Sequence, residues 1–100
     1  MKELPATAIL YKKTPEFTEE TVPAGLLKAH QTKDGTWGKI KVTEGQLRYR
    51  ILEPEFEEVI LSCDNYGVVE PTVLHEVEPE GKVHFHVEFY RESEAEPAKA

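Results

Sequence analysis

Four histidines, one cysteine and one tryptophan are the residues of this chain whose types could carry chemistry. His84 and His86 alternate with Phe85 and Val87, so on an extended strand both imidazoles and Glu88 share one side. An i, i+2 histidine pair is a bidentate arrangement suited to a divalent metal. The opposite side of that strand, Val83, Phe85, Val87 and Phe89, is continuously apolar. A core has to be built from it, which turns His84 and His86 outward to water. His30 ends the segment Gly25–Gln31, where Lys28, His30 and Thr32 share a side if the segment is extended. His75 follows Glu70-Pro71-Thr72-Val73-Leu74. In Gly35-Thr36-Trp37-Gly38-Lys39, two glycines flank the single tryptophan, so a large ring either closes over a ligand or plugs the end of the core. Cys63 follows an apolar run and reads as a small core residue. Serine–histidine–aspartate signatures, phosphate-cradling glycine loops and zinc-finger spacings are absent from the sequence.

Those residues need strands to position them. No segment carries apolar residues at helical spacing over ten or more positions, and the seven prolines are scattered along the chain. Period-two alternation is present instead. Ile40 and Val42 oppose Lys39 and Lys41, then Leu47, Tyr49 and Ile51 alternate with Arg48 and Arg50. With Glu44-Gly45 as the turn, this predicts a hairpin with one buried and one basic side. Further strands are expected over Thr7–Lys13, Gly25–Gln31, Phe56–Cys63, Val73–Val77 and Lys82–Arg91, the last two separated by a reversal at Pro79-Glu80-Gly81. Many short strands with glycine and proline turns point to an all-β sandwich or small barrel. One domain over residues 1–91 accounts for the 100-residue chain, followed by a mobile acidic tail over 92–100.

The net charge of −7 opposes nucleic acid as a partner. Residues 28–50 nevertheless carry a local +4, and the rest of the chain −11. This segment either admits a small anion or pairs with neighbouring glutamates. The apolar runs are too short to cross a bilayer, and the N-terminus lacks the apolar stretch of a signal peptide. A single cysteine forms no internal disulfide, so the expected location is cytoplasmic, away from membranes.

Pro23 to Leu27 with His30, Thr32 to Ile40 with the GTWGK stretch, Val42, Gly45, Val69 to Pro71, His75 to Glu78, and Phe89-Tyr90 together resemble a known family. It is the cupin-like domain of tellurite-resistance proteins, found as the amino-terminal domain of TehB and in a YeaR-like form. The resemblance spans roughly residues 7–91. It implies a cupin-like double-stranded β-helix, a jelly-roll barrel with its site inside. It also implies His30 and His75 as ligands of a divalent metal (zinc, iron or nickel); outside the family pattern, His86 or Glu88 completes the shell only if their strand turns its polar side inward. Thr32 stands where the usual motif has a second histidine. Lys28, Thr32, Trp37, Lys39 and Tyr49 are the expected ligand contacts, for a small oxyanion or other small molecule. The expected function is a ligand- or metal-binding module linked to tellurite or related oxyanion stress, without catalysis of its own. A small metal-dependent oxygenase or isomerase and a metal-free interaction domain are the alternatives, and a homodimer is the expected assembly.

Overall fold

The computed structural model describes residues 1–92. Its elements are β1 (Ala8–Lys13), β2 (Phe17–Thr18), a short 3-10 helix (Ala24–Leu27), β3 (Thr36–Ile51), β4 (Glu57–Leu61), β5 (Gly67–Val69) and β6 (His75–Glu92). The strands pair antiparallel in the order β1-β6-β3-β4, with β2 added to β6 and β5 to β3. The all-β expectation holds. The pairing describes an open sheet, however, because β1 and β4 end the path and no pairing among the described residues joins them. A closed jelly-roll barrel is therefore not what the pairing shows.

The expected hairpin at Glu44-Gly45 and the reversal at Gly81 are both replaced by continuous strands. β3 and β6 pair from Thr36↔Arg91 to Ile51↔His75, and the register shifts between Val42 and Glu44 and again between Gly45 and Gln46. These bulges explain the phase break in the sequence. On β3 the buried positions are Thr36, Gly38, Ile40 and Val42 before the shift, and Leu47, Tyr49 and Ile51 after it. The extra residue exchanges even for odd numbering, so one side of the strand stays inward while the strand bends. On β6, Val77, Val83, Phe85 and Val87 supply the matching inward side. Gly45, at φ +82°, occupies the bend where the backbone of Lys82 approaches it.

The core is Ile40, Val42, Leu47, Tyr49, Ile51, Leu61, Val69, Val77, Val83, Phe85 and Val87. Full burial of an aliphatic or phenyl side chain of this kind contributes about 1.5–3 kcal/mol. The Gly25–Gln31 segment departs from the strand expected there. Pro23 accepts a 3.0 Å hydrogen bond from the Leu26 amide, and this tight turn sends Leu26 back onto the core. Val59-Ile60-Leu61 is a strand as expected, but only Leu61 is fully buried. Cys63, expected in the core, is exposed.

Arg48 and Arg50 do not form a free basic side. Arg50 donates to Glu58 at 2.8 Å and to Glu76 at 2.9 Å, and it also bonds Glu78, while Arg48 bonds Glu80 at 2.8 Å. These hydrogen bonds raise the pKa of both arginines and hold the Glu58 carboxyl below its ordinary value. The acidic tail expected over 92–100 falls, beyond Glu92 at the end of β6, outside the described residues.

Candidate functional site: an apolar cup with two imidazoles

On the side of the sheet opposite to Arg48 and Arg50, the inward side of β3 and β6 opens into a cup of about 280 Å³. Gly38 and Ile40 of β3, Val69 of β5, and Val77, Phe85, Val87 and Phe89 of β6 form its floor and walls. Phe17 of β2 meets the Phe85 ring edge-on at 5.6 Å, a favoured aromatic geometry. Thr14, Pro23, Gly25 and Leu26 complete the rim. Gly38 lets the wall come close, since a Cβ there would stand 3.2 Å from that of Val69.

His30 and His75 are the polar side chains of the cup that could bind a proton or a ligand. They are brought together by an isolated antiparallel bridge, each amide donating to the other's carbonyl at 2.8 Å. Their rings meet edge-on with centroids 5.2 Å apart. His75 is only 4% exposed, and its Nδ1 lies 3.0 Å from the Val73 carbonyl oxygen. A carbonyl can only accept, so Nδ1 carries the proton and Nε2 is the lone-pair nitrogen. Burial, reinforced by neighbouring His30 and opposed by the Val73 bond, lowers the pKa of His75.

The other polar atoms nearby are already committed. Thr14 Oγ1 accepts from the Val87 amide at 3.0 Å and donates to the Pro15 carbonyl at 2.9 Å. Tyr49 packs edge-on to His75 at 5.9 Å, but its hydroxyl donates to the Val68 carbonyl at 2.9 Å, and burial raises its pKa. Thr32 is buried outside the cup, donating to the Thr36 carbonyl at 2.8 Å.

The remaining sequence candidates lie elsewhere. Lys28 is exposed and not in the cup lining. Trp37 pairs across from Tyr90 and Lys39 from Glu88 on the outer side of the sheet, where the Lys39 ammonium sits 4.3 Å from the Tyr66 ring centroid. His86 and Glu88 are on that outer side too. Glu88 Oε2 is 3.0 Å from His86 Nε2, and Oε1 accepts from the Tyr90 hydroxyl at 2.9 Å. Burial pushes the Glu88 pKa up, but these two hydrogen bonds outweigh it and leave the value lowered. Their strand does not turn its polar side inward, so His86 and Glu88 cannot complete a shell around His30 and His75.

Residues 12–87 match the TehB-like domain. The chain belongs to the TehB-like domain family. It is 34% identical over 74 residues to a probable S-adenosyl-L-methionine-dependent methyltransferase TehB of Haemophilus influenzae, covering 70% of this chain and 26% of that protein. A TehB from a second strain of the same species is 32% identical over the same length. The chain thus spans about a quarter of the curated relatives it matches. The crystal structure of Haemophilus influenzae TehB superposes with a TM-score of 0.80 at 30% identity, over 87% of this chain and 32% of that one. A crystal structure of a protein from Escherichia coli K12 shares the fold over its whole length, with a TM-score of 0.83 at 22% identity and 94% of this chain covered.

The reading as a metal-binding cupin module is corrected by these findings. The relationship is to the TehB-like domain, and the similar TehB is a probable S-adenosyl-L-methionine-dependent methyltransferase. Among the described residues no group of three or more histidine, cysteine, aspartate or glutamate side chains could hold a metal ion. Two imidazoles do not fit a zinc or iron site that needs three protein ligands. Among the described residues no lysine or arginine lines the cup. No helix of the described residues is long and apolar enough to cross a membrane.

Sequence reasoning missed the lining of Phe17, Leu26, Val69, Phe85 and Val87. Their residue types signal burial alike in a solid core and in an open cup, so no separate signal was available.

Proposed function

We propose that this chain is a small-molecule-binding domain of a methyltransferase-related family, with the cup of β3 and β6 as its binding site. A concave, mostly apolar cavity with a few convergent polar groups is the usual form of a small-molecule site. The observation that carries the reading is the cup itself: a lining of aliphatic and phenyl side chains, open at one rim, with two imidazoles on one wall. At about 280 Å³ it lies near the lower end for ligand pockets and suits a compact body of one or two rings. The apolar lining supplies affinity by excluding water, while the histidines fix orientation.

Titration of the 15N-labelled protein with naphthalene tests the site. Saturable amide shifts confined to the residues around Phe85, Val87 and His75 are expected, with a Kd on the order of 0.1 mM for an apolar probe of this size. Gly25 lines the rim, and a Cβ there would meet nothing within 4 Å. Gly25→Leu adds bulk at that rim without clash and should weaken the shifts. Shifts scattered over the surface, or absent around Phe85, Val87 and His75, would refute the reading.

A further inference from the structure

Resting on that reading, we infer that the cup selects uncharged ligands that pair an apolar ring body with one hydroxyl or N–H donor, and that His75 Nε2 is the acceptor. Three observations converge on this atom. His75 is 4% exposed and lines the cup. Its Nδ1 is spent on the Val73 carbonyl. Nε2 has no hydrogen-bond partner among the described residues, and the hydroxyls of Tyr49, which packs on the ring, and of Thr14, which lines the cup, are spoken for by Val68 and Pro15. Buried polar groups are almost always hydrogen-bonded, so a solitary lone pair facing an apolar space is an acceptor awaiting a donor.

The same surroundings exclude the other ligand classes. Among the described residues the lining includes no lysine or arginine to balance an anion and no carboxylate to balance a cation. A charged ligand would be desolvated without compensation. A ligand with acceptors only gains nothing from Nε2, because burial holds the His75 ring neutral and Nδ1 is occupied. His30 is half-buried, so water competes for its ring nitrogens and it contributes less discrimination.

The test compares naphthalene, 2-naphthol and 2-methoxynaphthalene by the same titration. In the native protein 2-naphthol should bind about five-fold tighter than naphthalene, the scale of one net hydrogen bond, with 2-methoxynaphthalene no tighter than naphthalene. His75→Phe should bring the ratio of naphthol to naphthalene affinity to about one, whatever it does to each affinity alone, whereas His30→Phe should retain the preference. If His75→Phe does not fold, the 15N resonance of Nε2 in the native protein decides. It should move upfield on adding 2-naphthol and stay in place on adding naphthalene. Equal binding of naphthol and naphthalene, a methoxy compound as tight as the naphthol, or a preference lost in His30→Phe and kept in His75→Phe would overturn the inference while leaving the cup as a binding site. Failure of naphthalene itself to bind would instead overturn the cup.

Discussion

Replacing Gly45 by alanine should be among the most damaging single-methyl changes in this protein. Gly45 sits at φ +82°, and a Cβ placed there would lie 2.1 Å from the Lys82 carbonyl oxygen and 3.0 Å from the Val83 Cα. A left-handed backbone costs a non-glycine residue about 1–2 kcal/mol. The clash adds to this, because both contacts are backbone atoms and cannot swing away. Relieving them means separating β3 from β6 at the bulge and leaving ladder groups unpaired, each at about 1–3 kcal/mol. The expected loss is at least about 3 kcal/mol, a large part of the roughly 5–15 kcal/mol typical of a small domain. Gly81 supplies the control. It has φ +75°, yet nothing lies within 4 Å of its added Cβ, so Gly81→Ala carries the backbone term alone. Urea unfolding followed by Trp37 fluorescence and far-UV circular dichroism measures both variants. Midpoints for Gly45→Ala no lower than for Gly81→Ala would refute the close approach of the two strands.

Two further outcomes follow from the charges. His75 has a pKa lowered from 6.5 in the folded chain, so the unfolded chain takes up its proton first as the pH falls. Stability should be retained above that value and decline from about pH 6.5 down to the lowered folded pKa; in His75→Phe this part of the pH profile of urea midpoints should flatten, and an unchanged profile counts against a buried neutral imidazole. Arg50→Gln removes the centre of the Glu58, Glu76 and Glu78 cluster and leaves like charges facing each other. Its destabilisation should be larger at low salt than in about 1 M NaCl, where the Debye length is near 3 Å, and equal losses at both would show that the cluster carries no net electrostatic stabilisation.

Local alternation made the strands legible, but their continuity was hidden. Ile40 and Val42, then Leu47, Tyr49 and Ile51, read correctly as inward positions. The change of phase between them has two physical causes, a turn or a bulge, and Glu44-Gly45 suits both. Gly81 posed the same ambiguity. Around Gly25 the strand expectation failed because Pro23 favours a tight turn, and Leu26 then packs on the core from a 3-10 helix while Leu27 stays exposed. Of the site, His30 and His75 were reached through the family resemblance, since they lie 45 positions apart and spacing could not join them. The outward placement of His84 and His86 did follow from the apolar partners they alternate with. Trp37 was unreadable in advance, because a glycine-flanked ring can face either side of a strand.

The isolated bridge between His30 and His75 has a thermodynamic consequence. It draws together the loop before β3 and the first residue of β6, while Thr14, Val69 and Val87 bring three other stretches to the same cavity. The cup therefore exists only when the whole chain is folded, and the unfolded chain has nothing to offer its occupant. Any molecule that fills it acts as a folding ligand. At 100 times its Kd it would add about 2.7 kcal/mol to stability, comparable to the burial of one phenylalanine. Thermal denaturation midpoints can thus report occupancy even by a molecule whose identity is unknown.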